Sequence, residues 1–381
     1  MADHHKLMPP SASGRWLTCT ASAYILADLP RSVSPFAAEG TLAHLIFEQM
    51  MSGTLTPNIG EVFYIDGFPV TYSQDMHDHL RDVVDYVESL NIDWDIELVE
   101  EKVELSNGIT GTVDYAVVCD ETLDVMDLKY GQGLRVEAEG NTQMMIYALG
   151  ILHGFGMLYD LETVTLRILQ PRLNNYSVWS TTVEALLDWE RDHLRPAAAA
   201  IINNAGKFAP SETACRWCPV SGSCDAQHAH MANMFEALPP AIMPSDIENL
   251  RFELVLPLVA QMRAYANAVD AAALRYVMRG LGIPGYKLVA GRSARAWAEG
   301  AEDALVKTLQ HPYTQKLKTV AVVEKELGRS AFAGTGLNAL VVKPPGKPTL
   351  VPMSDKRPAV DVSVHPLEFD NLEENENETD S

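Results

Sequence analysis

The 381-residue chain contains no apolar run near the ~18 residues a membrane span needs. Its N-terminus, MADHHKLMPPSASG, lacks the apolar segment of a secretory leader, so a cytoplasmic protein without membrane contact is expected. Cysteine is scarce, at five residues, which excludes a disulfide-stapled scaffold. Cationic residues are scarce too: 29 Lys and Arg face 51 Asp and Glu, a net charge of −22. That balance argues against a broad surface for polyanions, which bind largely by phosphate neutralisation. Part of the excess is local. Asp361–Ser381 holds eight acidic residues and no Lys or Arg and is expected to be a disordered tail, which leaves −14 on the remainder. No internal repeat is present. With 47% hydrophobic residues the chain can bury one large core or two moderate ones.

The most informative stretch runs from Gly111 to Tyr147. In Gly111–Cys119 and Leu123–Lys129, β-branched and aromatic residues alternate with others, which predicts two antiparallel strands. A turn centred between Asp120 and Glu121 makes opposed residues sum to 241, so Asp114 faces Asp127, with Lys129 two residues further along on the same face. Two carboxylates across a ladder repel. A cation between them removes that repulsion, and Asp114, Asp127 and Lys129 offer hard oxygen ligands for Mg²⁺ or Mn²⁺ plus an ammonium. By spacing alone, a salt-bridged hairpin in which Lys129 neutralises the pair is an equally good reading.

Around this hairpin stand G-x-x-D at Gly111–Asp114, D-x-K at Asp127–Lys129 and Q-x-x-x-Y at Gln143–Tyr147. Upstream are Gly40-Thr41-x-x-His44 and a Glu100-Glu101 pair in the expected first strand, Ile96–Leu105. Together and in this order they resemble the RecB-type branch of the PD-(D/E)XK nuclease superfamily, and the wording DLKYGQG and EGNTQMMIYALG is similar to phage and prophage members. Asp127 stands where many relatives have Glu. The resemblance covers roughly residues 14 to 230. It implies an α/β restriction-endonuclease-like core with a mixed sheet flanked by helices. It also implies a metal-dependent deoxyribonuclease, most simply an exonuclease of phage recombination or end processing in a bacterial host cytoplasm. Asp114, Asp127, the Leu128 carbonyl and His44 would hold Mg²⁺ or Mn²⁺, with Glu100 or Glu101 completing the shell. Lys129 would orient the attacking water, and Gln143 and Tyr147 would lie beside the pocket. The acidic balance then favours a narrow groove for the phosphates. A nuclease-fold protein that binds DNA ends, or serves as a recombination scaffold without cutting, is the alternative.

Flanking elements are expected at Thr41–Met50, with Thr41 near the helix start, at Ser73–Leu90, where His77 and His79 are solvated, and at Asn141–Leu149 with an Asn cap. Strands are expected at Thr163–Gln170 and Tyr176–Thr182, followed by a helix over Glu184–Asn203 bent at Pro196. Cys215-x-x-Cys218-x5-Cys224 forms a tight cluster with Cys19 far upstream; in a cytoplasmic chain this reads as a metal site, and four thiolates suit either [4Fe–4S] or zinc. The wide separation resembles the iron–sulfur staple of CRISPR-adaptation and AddB-like nucleases. A zinc knuckle closed by His228 or His230 stays open. Cys119 reads as a buried lone thiol.

Beyond residue 230 the composition shifts, through a linker at Ala237–Ala241, to an α+β extension over 231–360 with a long helix over Ser245–Gly280 broken near Pro257. Lys287, Arg292 and Arg295, interleaved with Tyr286 and Trp297, are candidate contacts to DNA ends or single strands. A solvated hairpin with a packing Trp is the equal alternative. A single-strand annealing or binding protein is the candidate partner.

Overall fold

The computed structural model describes residues 7–236 except 28, 30–32, 120 and 157–158. Further on it describes 252–359 except 292–295, 299, 310–311, 313–317, 328–331, 333, 343–345 and 353–356. The linker at 237–241 and the acidic tail at 361–381 lie outside the described residues.

Two short helices, α1 (Ser13–Thr18) and α2 (Ala21–Ile25), open the chain, followed by α3 (Pro35–Met51), a hairpin β1 (Val62–Ile65) and β2 (Phe68–Thr71), and α4 (Gln74–Ser89). Helix α3 begins two turns before the expected start at Thr41. Pro35 opens this helix at its first position, where no N–H is needed, and Ser34 Oγ accepts from the Ala37 N–H as the cap. Ser73 caps α4 in the same way.

The sheet follows: β3 (Ile96–Glu104), β4 (Thr110–Cys119) and β5 (Thr122–Leu128), then helix α5 (Thr142–Phe155), then β6 (Thr163–Gln170) and β7 (Asn175–Thr182). It has five strands in the order β3-β4-β5-β6-β7; β5 and β6 are parallel and the other pairs antiparallel. The β5–α5–β6 crossover makes the sheet's parallel pair and leaves β5 covered on both faces, so every β5 residue after Thr122 is buried, Asp124 and Asp127 included. Helices α3 and α4 cover one face with Leu42, Ile46, Phe47, Leu80 and Val84. Helix α5 covers the other with Met144, Ile146, Ala148 and Ile151. The architecture is a mixed α/β sheet between helical layers.

After β7 come α6 (Val183–Trp189), a π-helical turn (Glu190–Leu194) and α7 (Arg195–Ile202). The bend expected at Pro196 takes the form of that wide turn, immediately before a proline that has no N–H to continue the ladder. Helices α8 (Glu212–Arg216) and α9 (Asp225–Glu236) hold the cysteine cluster between them.

Contacts divide the chain into two compact units, one made of residues 1–264 with 369–381 and one of residues 265–368. The division falls inside α10 (Phe252–Met278), which runs unbroken through Pro257. The second unit adds β8 (Tyr286–Gly291), β9 (Ala296–Trp297), α11 (Ala301–Thr308), α12 (Val320–Leu327), β10 (Val341–Val342) and β11 (Gly346–Pro352). Strands β8 and β11 pair antiparallel, and so do β9 and β10. Leu305, Val320, Val323, Phe332 and Leu337 form a small separate core. Among the described residues no helix is long and apolar enough to cross a membrane.

Candidate metal centre

The register of the central hairpin sets the site. Strands β4 and β5 pair from Cys119↔Thr122 to Tyr115↔Met126, every pair summing to 241 as the two-residue link requires. One step further along this register lie Asp114 and Asp127. On the other side, β3 pairs Val99 with Tyr115 and Glu101 with Val113, skipping the position opposite Asp114. That position is Glu100, whose φ of +49° is left-handed and takes it out of the ladder. Three carboxyl residues, Glu100, Asp114 and Asp127, thus occupy one row across three adjacent strands. Glu101 is exposed on the ladder, so Glu100 is the glutamate that joins the row.

Helix α3 brings His44 to this row, its Nδ1 lying 3.2 Å from Asp114 Oδ1. One ligand atom each from His44, Glu100 and Asp114 all fall within 4.8 Å of one another, a group able to hold a metal ion. The second Asp114 oxygen accepts from the Leu128 N–H at 2.7 Å, so Leu128 enters the site through its N–H. Asp127, 1% exposed, has Lys129 Nζ at 2.7 Å from Oδ2, and Oδ1 accepts from Gln143 Nε2 at 3.0 Å. The Lys129 ammonium is thus the charge set against the buried Asp127 Oδ2. Gln143 also accepts from Lys129 Nζ at 3.0 Å and donates to Tyr147 Oη at 3.0 Å. One amide on α5, held by the Asn141 cap, thereby fixes Asp127, Lys129 and Tyr147 together.

Gly111 has a steric role. A Cβ there would stand 2.7 Å from Tyr147 Cε1 and 2.9 Å from Pro10 Cγ, so only glycine lets the Tyr147 ring lie against β4.

The carboxylates crowd one another in a partly dry site. Glu100 is pushed up to about 7 by burial, then by the charges of Asp114, Glu48 and Asp127, with His44 opposing. Asp127 is also raised, chiefly by burial, against the pull of Lys129. For His44 burial is the largest single influence and acts downward, but the summed attraction of Asp114 and Asp127 carries it above its ordinary value. Burial raises Tyr147, with Asp127 next. A shared cation would relieve all of these strains at once.

Several side chains near the site carry sequence signals that single residues do not display. Glu48 stands one helical turn after His44. His77 and His79 are not merely solvated: His77 Nδ1 lies 2.7 Å from Tyr72 Oη, and His79 Nδ1 3.4 Å from Tyr130 Oη. Tyr130 follows Lys129 directly, and the Arg172 guanidinium sits over its ring at 4.9 Å while donating to Glu39. The loop after Lys129 is therefore pinned between α4 and the β6–β7 turn.

The four remaining candidate thiols converge away from the sheet. Cys19, Cys215, Cys218 and Cys224 line one small cavity with Ile25, Phe208 and Gln227. Gly206 allows the backbone of 206–207 to press against Thr20, where Ala21 N donates to Lys207 O, and Cys19 Sγ accepts from Ala209 N at 3.5 Å. Burial and the neighbouring thiols push Cys215 and Cys218 up. Arg15 faces Cys218 and Cys19, and its buried Nε has no hydrogen-bond partner. Cys119 is half-buried at the end of β4, not buried as a lone thiol would be.

Of the candidate DNA contacts, Lys287 is half-buried on β8, while Arg292 and Arg295 lie outside the described residues. Trp297 is half-buried; its Nε1 donates to Lys318 O and its ring packs on Phe332 at 6.2 Å in the small core.

The described fold and site thus define an α/β protein with a His–Glu–Asp group suited to a metal ion. The chain belongs to the family described as "Protein of unknown function (DUF2800)", whose model matches residues 5–358. Among solved structures it is similar to SSO0001, at 16% identity over 40% of this chain and 68% of that one, with a TM-score of 0.21. It is also similar to a protein from Eubacterium rectale described as "Putative exonuclease", at 12% identity over 64% of this chain and 93% of that one, with a TM-score of 0.30. Both likenesses are distant.

Proposed function

We propose that the chain is a metal-dependent deoxyribonuclease that hydrolyses phosphodiester bonds, an exonuclease of DNA recombination or end processing. One observation carries the reading. Glu100, Asp114 and Asp127 form a row across three strands, joined by His44 and Lys129, with Asp127 buried. A salt-bridged structural hairpin needs neither the left-handed Glu100 nor further carboxyl groups beside the Asp127–Lys129 pair. His44, Glu100, Asp114 and Asp127 would hold Mg²⁺ or Mn²⁺, which when bound supplies Lewis acidity toward water and phosphate. Lys129 holds its ammonium toward the phosphate, where it offsets negative charge as the phosphorus becomes five-coordinate. Gln143 keeps that ammonium and Asp127 in register, and Tyr147 closes the wall beside them.

The thiols fit a bound metal group as well. Their chemistry suits [4Fe–4S] or zinc, and an anionic tetrathiolate would satisfy Arg15 Nε.

The test is cleavage of a labelled DNA strand or duplex with Mg²⁺, Mn²⁺ or EDTA. Cutting with either ion and none with EDTA is the expected result. Binding without cutting under all three conditions would make the protein a non-cleaving end-binder.

A further inference from the structure

Charge is partitioned between the two units far more sharply than the net −22 conveys. Residues 265–368 carry fourteen Lys and Arg against nine Asp and Glu, a net of +5. The rest of the chain carries fifteen against forty-two, a net of −27. A polyphosphate approaching the unit with the carboxylate row meets repulsion, and affinity for it has to come from elsewhere.

The second unit has the means. From Ala271 to Ala298 there are five Lys and Arg and not one Asp or Glu. Within this stretch Arg279, just past the end of α10, follows Arg275 by four residues and Tyr276 by three, the spacings at which side chains neighbour on a helix surface. Gly280, at φ +82°, ends the helix, and Gly285, at φ +87°, returns the chain into β8 at Tyr286 and Lys287. The exposed surface here is aromatic and aliphatic as well as cationic: Tyr276 is 45% exposed, Leu281 44% and Tyr286 49%, and Arg279 is exposed. Two exposed rings on a stretch of chain that also carries Arg275, Arg279 and Lys287, and no Asp or Glu between Asp270 and Glu299, match what a nucleic-acid strand needs, namely stacking faces for bases and charges for phosphates.

We propose that Arg275, Tyr276, Arg279, Tyr286 and Lys287 form a docking site for single-stranded DNA, and that this site, not the acidic unit, supplies most of the affinity for the strand. The identity of that strand as substrate rests on the nuclease reading; the docking site does not.

The test uses the full chain and a fluorescently labelled oligo-dT in EDTA, so that binding is read without cutting, by anisotropy across a salt series. Replacing Arg275, Arg279 and Lys287 together by Glu is expected to weaken binding at least about tenfold at low salt. It should also flatten the dependence of log K on log salt by about two, the value for three lost phosphate contacts on a single strand. Tyr276→Ala with Tyr286→Ala is expected to weaken binding about tenfold or more with the salt slope unchanged. Both sets are checked for parental circular dichroism. Should either fail to fold, photocrosslinking the parent to a bromodeoxyuridine strand and mapping adducts by mass spectrometry needs no variant, with adducts at Tyr276 or Tyr286 expected. Parental affinity in both folded variants, adducts confined to residues before Tyr265, or binding of anionic phosphatidylserine vesicles but not of DNA, would each overturn the proposal. A parent that binds through these residues but never cuts with Mg²⁺ leaves the docking site standing and removes the nuclease reading. A parent that cuts while the variants bind and cut equally well does the reverse.

Discussion

At Glu100 the chain accepts a left-handed backbone on a residue with a Cβ, beside two other carboxylates, and its proton affinity records the consequence. An acid whose native value is raised from 4.5 to about 7 binds its proton more tightly folded than unfolded. Its stabilising contribution is present below its ordinary value and is lost as pH rises through about 7. In EDTA, the melting temperature of the parent should therefore fall relative to Glu100→Gln between pH 5 and pH 8, and Mg²⁺ at pH 8 should restore it. A parallel pH dependence of the two proteins would show that Glu100 titrates normally. Metal binding must also displace the proton from His44, so apparent Mg²⁺ affinity should rise across the same range. On the nuclease reading, Asp114→Asn, Asp127→Asn and Lys129→Ala should each abolish cleavage. The double Asp variant should be hardly worse than either single one, because residues acting as a unit are not additive. Gln143→Ala, which releases both Lys129 and Asp127, should lower turnover by about tenfold or more. Near-parental cutting by any of the first three would place the chemistry elsewhere.

Elements differ in how openly the sequence declares them. The β4–β5 register was legible because a two-residue link leaves no freedom, and the caps Ser73 and Asn141 announce their helices by residue type. The start of α3 was not legible. Pro35 is a first-turn residue of a kind equally at home in a loop, and the cap Ser34 is hidden among other polar residues. Nor does any pattern announce that Glu100 leaves the β3 ladder, since a left-handed glutamate has no residue-type signal of the kind glycine gives. The glycine of G-x-x-D was visible as a letter, but its reason is tertiary, because it makes room for Tyr147 from a helix over thirty residues away. Gly111→Ala is expected to push that ring off β4, loosening Gln143 and cutting activity more than stability. Gly150 offers the stability counterpart: a Cβ there would stand 2.5 Å from Val103 Cβ, with α5 packed directly on β3. Gly150→Ala should cost about 1–3 kcal/mol in denaturant unfolding, as overpacking at a rigid contact does. A change below a few tenths would mean that α5 can shift without penalty.

At the scale of the whole molecule, charge and the cysteine cluster are the long-range organisers. Composition alone pointed to a narrow groove in an acidic protein, because averaging over the chain hides that the acidic charge is concentrated outside residues 265–368. Deleting Asp361–Ser381 removes eight acidic charges, which should tighten oligonucleotide binding at low salt and lose that effect as salt screens the charges. Unchanged affinity at low salt would show that the segment does not compete with the strand. The cluster closes a larger loop. Cys19 and Cys215 are nearly two hundred residues apart, and helix α1, which ends beside Cys19, begins at Ser13, whose Oγ lies 2.6 Å from Thr142 Oγ1 at the start of the helix carrying Gln143. A metal group held by Cys19, Cys215, Cys218 and Cys224 would therefore anchor the Cys19 end of α1, whose other end contacts the helix carrying Gln143. Anaerobically purified protein should be brown, with broad absorbance near ~400 nm from thiolate-to-iron charge transfer. Cys19→Ala should remove that colour and lower the melting temperature, because closing so long a loop restrains the unfolded chain more than a short one does. It should also reduce Mg²⁺-dependent cutting without touching any residue of the row. Colourless protein with stoichiometric zinc, retained in Cys19→Ala, would instead establish a local knuckle of Cys215, Cys218 and Cys224 with a histidine, and the link from the cluster to the row would be gone.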